Sequence, residues 1–143
     1  MYKFSQLSLE RLSSAHEALQ RLARIVIKLF DISIICGHRS KEDQDKALVE
    51  GHSKIAWPKS KHNSFPSRAI DVWPYPVAWP SLDAIPPEYR KAADDYASAL
   101  ASWYYMAGLF KGAGAALDID LKWGGHFKLL FDAPHIELGD NEK

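Results

Sequence analysis

The chain is poor in the features that usually give a quick answer. Its single cysteine excludes an internal disulfide, and Cys36 sits in the apolar run ISIICG, which reads as a buried thiol in a chain folded in a reducing compartment. It has no charge surplus. Eighteen Lys and Arg balance eighteen Asp and Glu, so the positive field that supplies non-specific affinity for nucleic acid is missing and no nucleic-acid partner is expected. No run approaches the length of a membrane-spanning helix, which argues against membrane insertion. The opening MYKFSQLSLERL lacks an apolar core followed by a small-residue cleavage site, so export by an ordinary signal peptide is not expected. Internal repeats and low-complexity stretches are absent too. What remains is material for one folded domain over residues 1–143, with five Trp, six Tyr and six Phe for a core or an aromatic cleft.

Apolar periodicity predicts a long helix over 14–29, carrying Ala15, Leu19, Leu22, Ala23 and Val26 on one face. A capping box from Ser14 to Glu17 would open it, after a shorter helical turn at 8–12. The β-branched run 32–36 predicts a buried strand, and Ser40 is placed to cap a helix that stops at Gly51. Residues 52–68 read as loop, and AIDVW, from Ala69, as a second strand. Pro86 and Pro87 suit the start of a helix ending at Gly108, with Tyr89, Ala92, Ala93, Tyr96, Leu100, Trp103, Tyr104 and Ala107 as its apolar stripe. KGAGAA then reads as flexible, and LDIDLKW and PHIEL as two short strands. This order predicts an α+β fold, a small and largely antiparallel sheet with helices packed on it.

Three residues suggest chemistry. A catalytic zinc site needs three nitrogen or oxygen ligands at ~2.0–2.2 Å and an open fourth position. His62, Asp71 and His135 meet that requirement, with His62 on a polar loop and Asp71 mounted between Ile70 and Val72 on a strand. The plainer reading is a loop histidine, a solvated aspartate and a strand histidine that never meet, because no helix-borne HExxH ties two of them together. Asp132 lies three residues before His135 across Pro134, where a carboxylate can serve as general base. Glu137, on the same strand face as His135, is a rival base, a partner orienting a ligand, or an edge-strand surface acid.

Three segments in order resemble the M15 peptidase family, which holds D-alanyl-D-alanine carboxypeptidases and dipeptidases and phage L-alanyl-D-glutamate endopeptidase endolysins. GHRSKEDQ at 37–44 resembles the family's GYRS segment and later glutamine, SKHNSFPSRAIDVWP at 60–74 its His-to-Asp zinc motif, and KWGGHFKLLFDAPHIEL its Trp-Gly-Gly stretch with a following acid and third ligand. Together they frame 37–138. The resemblance implies a Hedgehog/DD-peptidase fold, Zn2+ held by His62, Asp71 and His135, and Asp132 as general base. It also implies Arg39 polarising the substrate carbonyl, with Gln44 supporting the site and substrate. The plainer readings are a surface ion pair for Arg39 and an exposed helix position for Gln44.

Two departures stand out. The His62-to-Asp71 loop is longer than in many relatives and carries Pro66 and Ser67, and His126 stands where an acid often follows Trp-Gly-Gly. His126 is thus a substrate contact, a competing ligand or a surface histidine. His38 replaces the family's tyrosine and is expected to line the cleft. His16 and His52 read as solvated, His52 near a helix C-terminus that favours its cation. In VWPYPVAWP, Trp73, Tyr75 and Trp79 are cleft wall or core, with Trp73 favoured as core.

The implied function is hydrolysis of an amide bond in peptidoglycan stem peptides by a monomeric phage endolysin without a separate wall-binding module. Such a protein is made in the host cytoplasm and reaches the wall after release by a separate membrane-permeabilising protein. The alternatives are a D-alanyl-D-alanine carboxypeptidase, or a non-catalytic zinc-stabilised module that binds wall peptide or protein. A metal nuclease, suggested by the His62–Asn63 pair, is disfavoured by the neutral charge.

Overall fold

The computed structural model describes residues 1–77, 90–128 and 131–142. Along them run α1 (Gln6–Ser13), α2 (Glu17–Leu29), β1 (Ile32–Cys36), α3 (Lys41–Val49), β2 (Ala69–Pro74), α4 (Arg90–Ala116), β3 (Leu121–Trp123) and β4 (His135–Leu138). Short 3-10 turns lie at Lys61–Asn63 and Gly124–His126. The strands form one antiparallel sheet in the order β1-β2-β4-β3, the α+β arrangement that the element order predicts. α2 packs on α4, α4 lies against β2 and β3, and α1 sits on β1. The core between them joins Leu19, Leu22 and Val26 of α2 to Trp103, Met106 and Phe110 of α4 and to Ile34, Ile70, Val72, Ile136 and Leu138 of the sheet. Burying each of the larger of these side chains contributes roughly 1.5–3 kcal/mol. Trp73 packs against this core from a half-buried position, as expected, whereas Tyr75 is exposed.

The N-terminal helices divide differently from the periodicity. α1 is a two-turn helix capped by Ser5, and Ser14 ends it instead of opening the next. Ser14 Oγ is already committed, donating to the Arg11 carbonyl at 2.7 Å and accepting the His38 amide at 2.8 Å. The cap of α2 falls to His16, whose Nδ1 accepts the Ala18 amide at 3.2 Å, so this histidine is not simply solvated. A tertiary contact to the β1–α3 loop has overridden a local capping box. Ser40 does cap α3, accepting the Asp43 amide at 3.1 Å, and Gly51 takes a φ of 77° just past its end.

α4 does not stop at Gly108. It runs to Ala116, because its buried positions continue in helical steps through Ala99, Trp103, Met106, Ala107, Phe110 and Gly114. Trp103 and Ala107 of the predicted stripe are buried, Leu100 is half-buried and Tyr104 is exposed, while the side chains of Ala92, Ala93 and Tyr96 lie outside the described residues. The predicted start at Pro86 and Pro87, with Tyr89 and Trp79, lies outside the described residues. KGAGAA is therefore helix, and one of its glycines has a purpose. A methyl group on Gly114 would meet the Ile119 carbonyl oxygen at 2.9 Å and Leu121 Cδ1 at 3.1 Å, so the missing side chain lets β3 close on the helix.

In β1 the pairing with β2 runs Ile34 to Val72 and then Cys36 to Asp71, so Ile35 is an extra residue and the strand bulges. Strict alternation would put Cys36 on the core side with Ile34. The bulge instead turns it to the face of Asp71, and the thiol expected to be buried is only half-buried. Asp71 in turn pairs with His135. Cys36, Asp71 and His135 thus form one row across three strands on one face, since directly opposed residues share a face.

The glycines of α4 give a test with opposite signs. Gly112→Ala, where an added methyl meets nothing within 4 Å, should stabilise the protein by about 0.5–1 kcal/mol in urea unfolding. Gly114→Ala should destabilise it by about 1–3 kcal/mol. Equal effects would contradict the close approach at Gly114.

Candidate metal centre

His62 reaches the sheet on the 3-10 turn Lys61–Asn63, within the segment whose composition predicts loop. Ser60 Oγ accepts the His62 amide at 3.3 Å, and Asn63 Oδ1 accepts the Ser60 amide at 3.1 Å. Asn63 Nδ2 donates to the Arg39 carbonyl and to Gln44 Oε1, both at 3.1 Å, and the Arg39 amide donates to the His62 carbonyl at 2.8 Å. The ligand turn is thereby stitched to the β1–α3 loop. Gln44, at 0% exposure, is the centre of this stitching, with Nε2 on Ser53 Oγ and the Ile55 carbonyl and Oε1 accepting from Arg39 and Asn63. Its amide is fully used and enclosed. It holds the site's loops together, and it is not the exposed helix position of the plainer reading.

The donor atoms converge. His62 Nε2 lies 3.2 Å from Asp71 Oδ1 and 3.2 Å from His135 Nδ1, and His135 Nδ1 lies 3.4 Å from Asp71 Oδ1. Ligand atoms at ~2.0–2.2 Å from one tetrahedral ion sit roughly 3.3–3.6 Å apart, so the triangle has the size a metal requires. The tautomers agree. His62 Nδ1–H donates to the Gly37 carbonyl at 2.7 Å, and His135 Nε2–H donates to Glu137 Oε2 at 2.8 Å. Those bonds turn two lone pairs and a carboxylate oxygen toward one point, where mutual repulsion demands a cation. Asp71 and Asp132 share the Arg39 guanidinium, while Glu137 lies opposite Lys122 of β3. The residues present fit a divalent metal.

Without a metal a proton must serve. Burial opposes the His62 imidazolium, but the Asp71 carboxylate beside it and the hydrogen bond between them prevail and raise its pKa to about 10. His135 shifts upward as well, burial again being outweighed by its bonds to Asp71 and Glu137. Asp71, although burial works against its charge, is held far below the usual carboxylate range by the two imidazoles. Asp132 moves the other way. Its partial burial is the largest cause and the Asp71 charge adds to it, so its carboxyl is more basic than an ordinary aspartate.

Each remaining expectation finds a place. Glu137 Oε2 accepts the His135 Nε2–H at 2.8 Å, the place of a partner that orients the ring. Arg39 Nη2 donates to Asp71 Oδ2 at 3.2 Å and Nη1 to Gln44 at 3.2 Å, so its guanidinium is fixed beside the donor triangle in a partly buried ion pair. Trp-Gly-Gly forms the cradle of the Asp132–His135 turn. A methyl on Gly124 would overlap the Asp132 carbonyl and come within 2.9 Å of His135 Cβ, and Trp123 Nε1 donates to the Ala133 carbonyl at 2.7 Å. His38 has its Nδ1 on the Ser64 carbonyl and its ring edge-on to exposed Phe65. His126 is exposed and packs edge-on against Trp123, with no described contact to the ligand triangle. His52 pairs with Glu50 on the surface.

Sequence reasoning missed Cys36 and Asn63. Cys36 Sγ, His62 and Asp71 offer donor atoms within 4.8 Å of one another, a second metal-capable set that overlaps the first. The His62–Asp71–His135 triangle is the better defined of the two, since both imidazole tautomers are fixed by outer partners. The signal for Cys36 was its place beside GHRS. The signal for Asn63 was Ser60 three residues before it, a capping-box spacing.

Two imidazoles and a carboxylate on an antiparallel sheet, with a basic carboxyl nearby, make a donor set of the metallohydrolase kind. The chain matches the family described as phage L-alanyl-D-glutamate peptidase over residues 1–139, and it belongs to that family. A solved structure of the Serratia marcescens L-Ala D-Glu endopeptidase ChiX superposes with a TM-score of 0.69 at 25% identity, covering 96% of this chain and 90% of that one. No curated protein matches it.

Because protons and metal compete for His62 and His135, both of whose pKa values are raised, metal affinity should rise by at least about tenfold per pH unit up to about pH 10, measured by competition with a chromophoric chelator. Glu137→Ala should weaken that affinity about 10–100-fold at fixed pH. Unchanged affinity in this variant would remove Glu137 from the support of His135.

Proposed function

We propose that the protein is a zinc-dependent endopeptidase that hydrolyses the L-alanyl–D-glutamate amide bond of peptidoglycan stem peptides. The observation that carries this reading is the convergence of His62 Nε2, Asp71 Oδ1 and His135 Nδ1 at 3.2–3.4 Å, beside a carboxyl that its surroundings make more basic. Both comparisons name the L-alanyl–D-glutamate bond and so support it over the D-alanyl–D-alanine bond. The presence of Asp132 counts against a module that only binds.

A zinc ion held by His62, Asp71 and His135 supplies Lewis acidity for the scissile carbonyl and lowers the pKa of bound water toward ~7. Asp132 takes the proton of the attacking water and returns it to the leaving amine, and its raised pKa suits it to both transfers. Arg39 holds the orientation of Asp71 through Oδ2 and places a fixed positive charge near the oxyanion that develops. Glu137 and the Gly37 carbonyl keep both imidazole tautomers committed to the metal.

The working form we infer is a monomeric single catalytic domain, made in a phage-infected cytoplasm and acting on the wall once a separate protein has opened the membrane. The phage designation of the family supports this setting.

Zinc-loaded protein should release soluble peptides from purified peptidoglycan, and mass spectrometry should find new C-terminal alanine and N-terminal glutamate. Asp132→Ala should keep its zinc and lose on the order of a hundredfold or more in rate. Full activity in that variant would remove Asp132 as the base, and termini at D-alanine would reassign the bond.

A further inference from the structure

The 3-10 turn Gly124–His126 sends two successive rings in different directions. His126 packs edge-on against Trp123, with ring centroids 5.0 Å apart, whereas Phe127 packs against His135, at 5.7 Å and an interplanar angle of 54°. The turn itself is held against the indole. A methyl on Gly125 would overlap the Trp123 ring, which is buried and anchored by its bond to the Ala133 carbonyl. The Gly124 carbonyl accepts the Phe127 amide at 3.1 Å and the Asp132 amide at 3.0 Å. One backbone oxygen thus sets the starting points of both the phenyl ring and the proposed base.

Phe127 is 37% exposed, although its ring touches a side chain that is only 8% exposed. Burial in the core does not account for it. What the contact leaves is an apolar face, open to water, directly beside the donor triangle. The substrate proposed above has one apolar group next to its scissile carbonyl, the methyl of L-alanine, and on the other side a D-glutamyl residue that carries a carboxylate. The face of a phenyl ring is electron-rich, so it suits the methyl and repels the carboxylate.

We propose that Phe127 is a specificity-determining residue whose exposed face receives the alanyl methyl, with the D-glutamyl residue directed away from the ring. This rests on the peptidase reading above. The methyl is borne by the carbon next to the scissile carbonyl, so a carbonyl held at the triangle keeps it within reach of a ring that touches His135. A ring that only shielded His135 would act on every substrate alike.

The two roles separate when kcat/KM of the zinc-loaded full chain is measured on an L-alanyl-D-glutamyl peptide and on its glycyl counterpart, which lacks only the methyl. The expected result is a preference for the alanyl peptide of about tenfold or more in the wild type, reduced to within about twofold in Phe127→Ala and kept in Phe127→Tyr. Zinc affinity from chelator competition, a readout independent of turnover, should stay within about threefold in both variants, against the 10–100-fold loss of a partner that orients a ligand. If Phe127→Ala does not fold, Phe127→Ser takes its place with the same expectation. Equal slowing on both peptides, or a wild type without the preference, overturns the methyl contact and leaves the peptidase reading intact. A preference kept in Phe127→Ala while zinc affinity falls makes Phe127 a support of His135 and overturns the contact as well. Cleavage of neither peptide by folded, zinc-containing wild type overturns both readings.

Discussion

Three hydrogen-bond acceptors pointed at one another at 3.2–3.4 Å are the constraint on which the structure depends. In a site where His62 is 2% exposed, water cannot relieve their repulsion, so the scaffold must hold the arrangement until a cation does. Each acceptor is restrained from behind. The Gly37 carbonyl holds His62, Glu137 holds His135 and Arg39 holds Asp71. The restraints come from β4 and the β1–α3 loop, so the pairing of the strands is itself part of the site.

Close backbone approach is the second requirement. Gly37 fits against the Arg11 carbonyl and Ser14 Oγ, where a methyl group would overlap both, and its own carbonyl then meets His62. Gly124 does the same for the Asp132–His135 turn. At the far edge Asp140 bridges Lys61, next to His62, and Lys122 of β3, with both ammonium groups within 2.7 Å. Such exposed pairs contribute little each, but they join the ligand turn to the strand that borders β4.

Much of this was legible in the residues. β1 and β2 announced themselves by β-branched runs, α3 by Ser40, and His62, Asp71, Asp132 and His135 by donor type and by their order along the chain. The failures share a physical cause. Ser14 has the right spacing for a helix cap, yet its hydroxyl is worth more bridging Arg11 and His38. The glycines in KGAGAA look like a break, but packing of Phe110 and the fit at Gly114 outweigh their propensity, about 1 kcal/mol each. An exposed helix position was the plainer reading of Gln44, and only the folded loops reveal that its amide is already filled. Cys36 looked like core because alternation was assumed, and a bulge leaves no mark in an apolar string.

That bulge has a consequence for how the strand can vary. Ile35 works as a change of phase. On its N-terminal side the side chains answer to the helices beneath the sheet, and on its C-terminal side to the chemistry above it. The two halves of five residues are thereby decoupled, so an apolar exchange at Ile32 or Ile34 leaves the position of Cys36 undisturbed. Five residues paired without the bulge would draw the thiol inward, whereas deletion of Ile35 would seat the cysteine next to Ile34 and still opposite Asp71. The offset between the two strands at Ile35, more than the composition of β1, is what the site inherits from this strand.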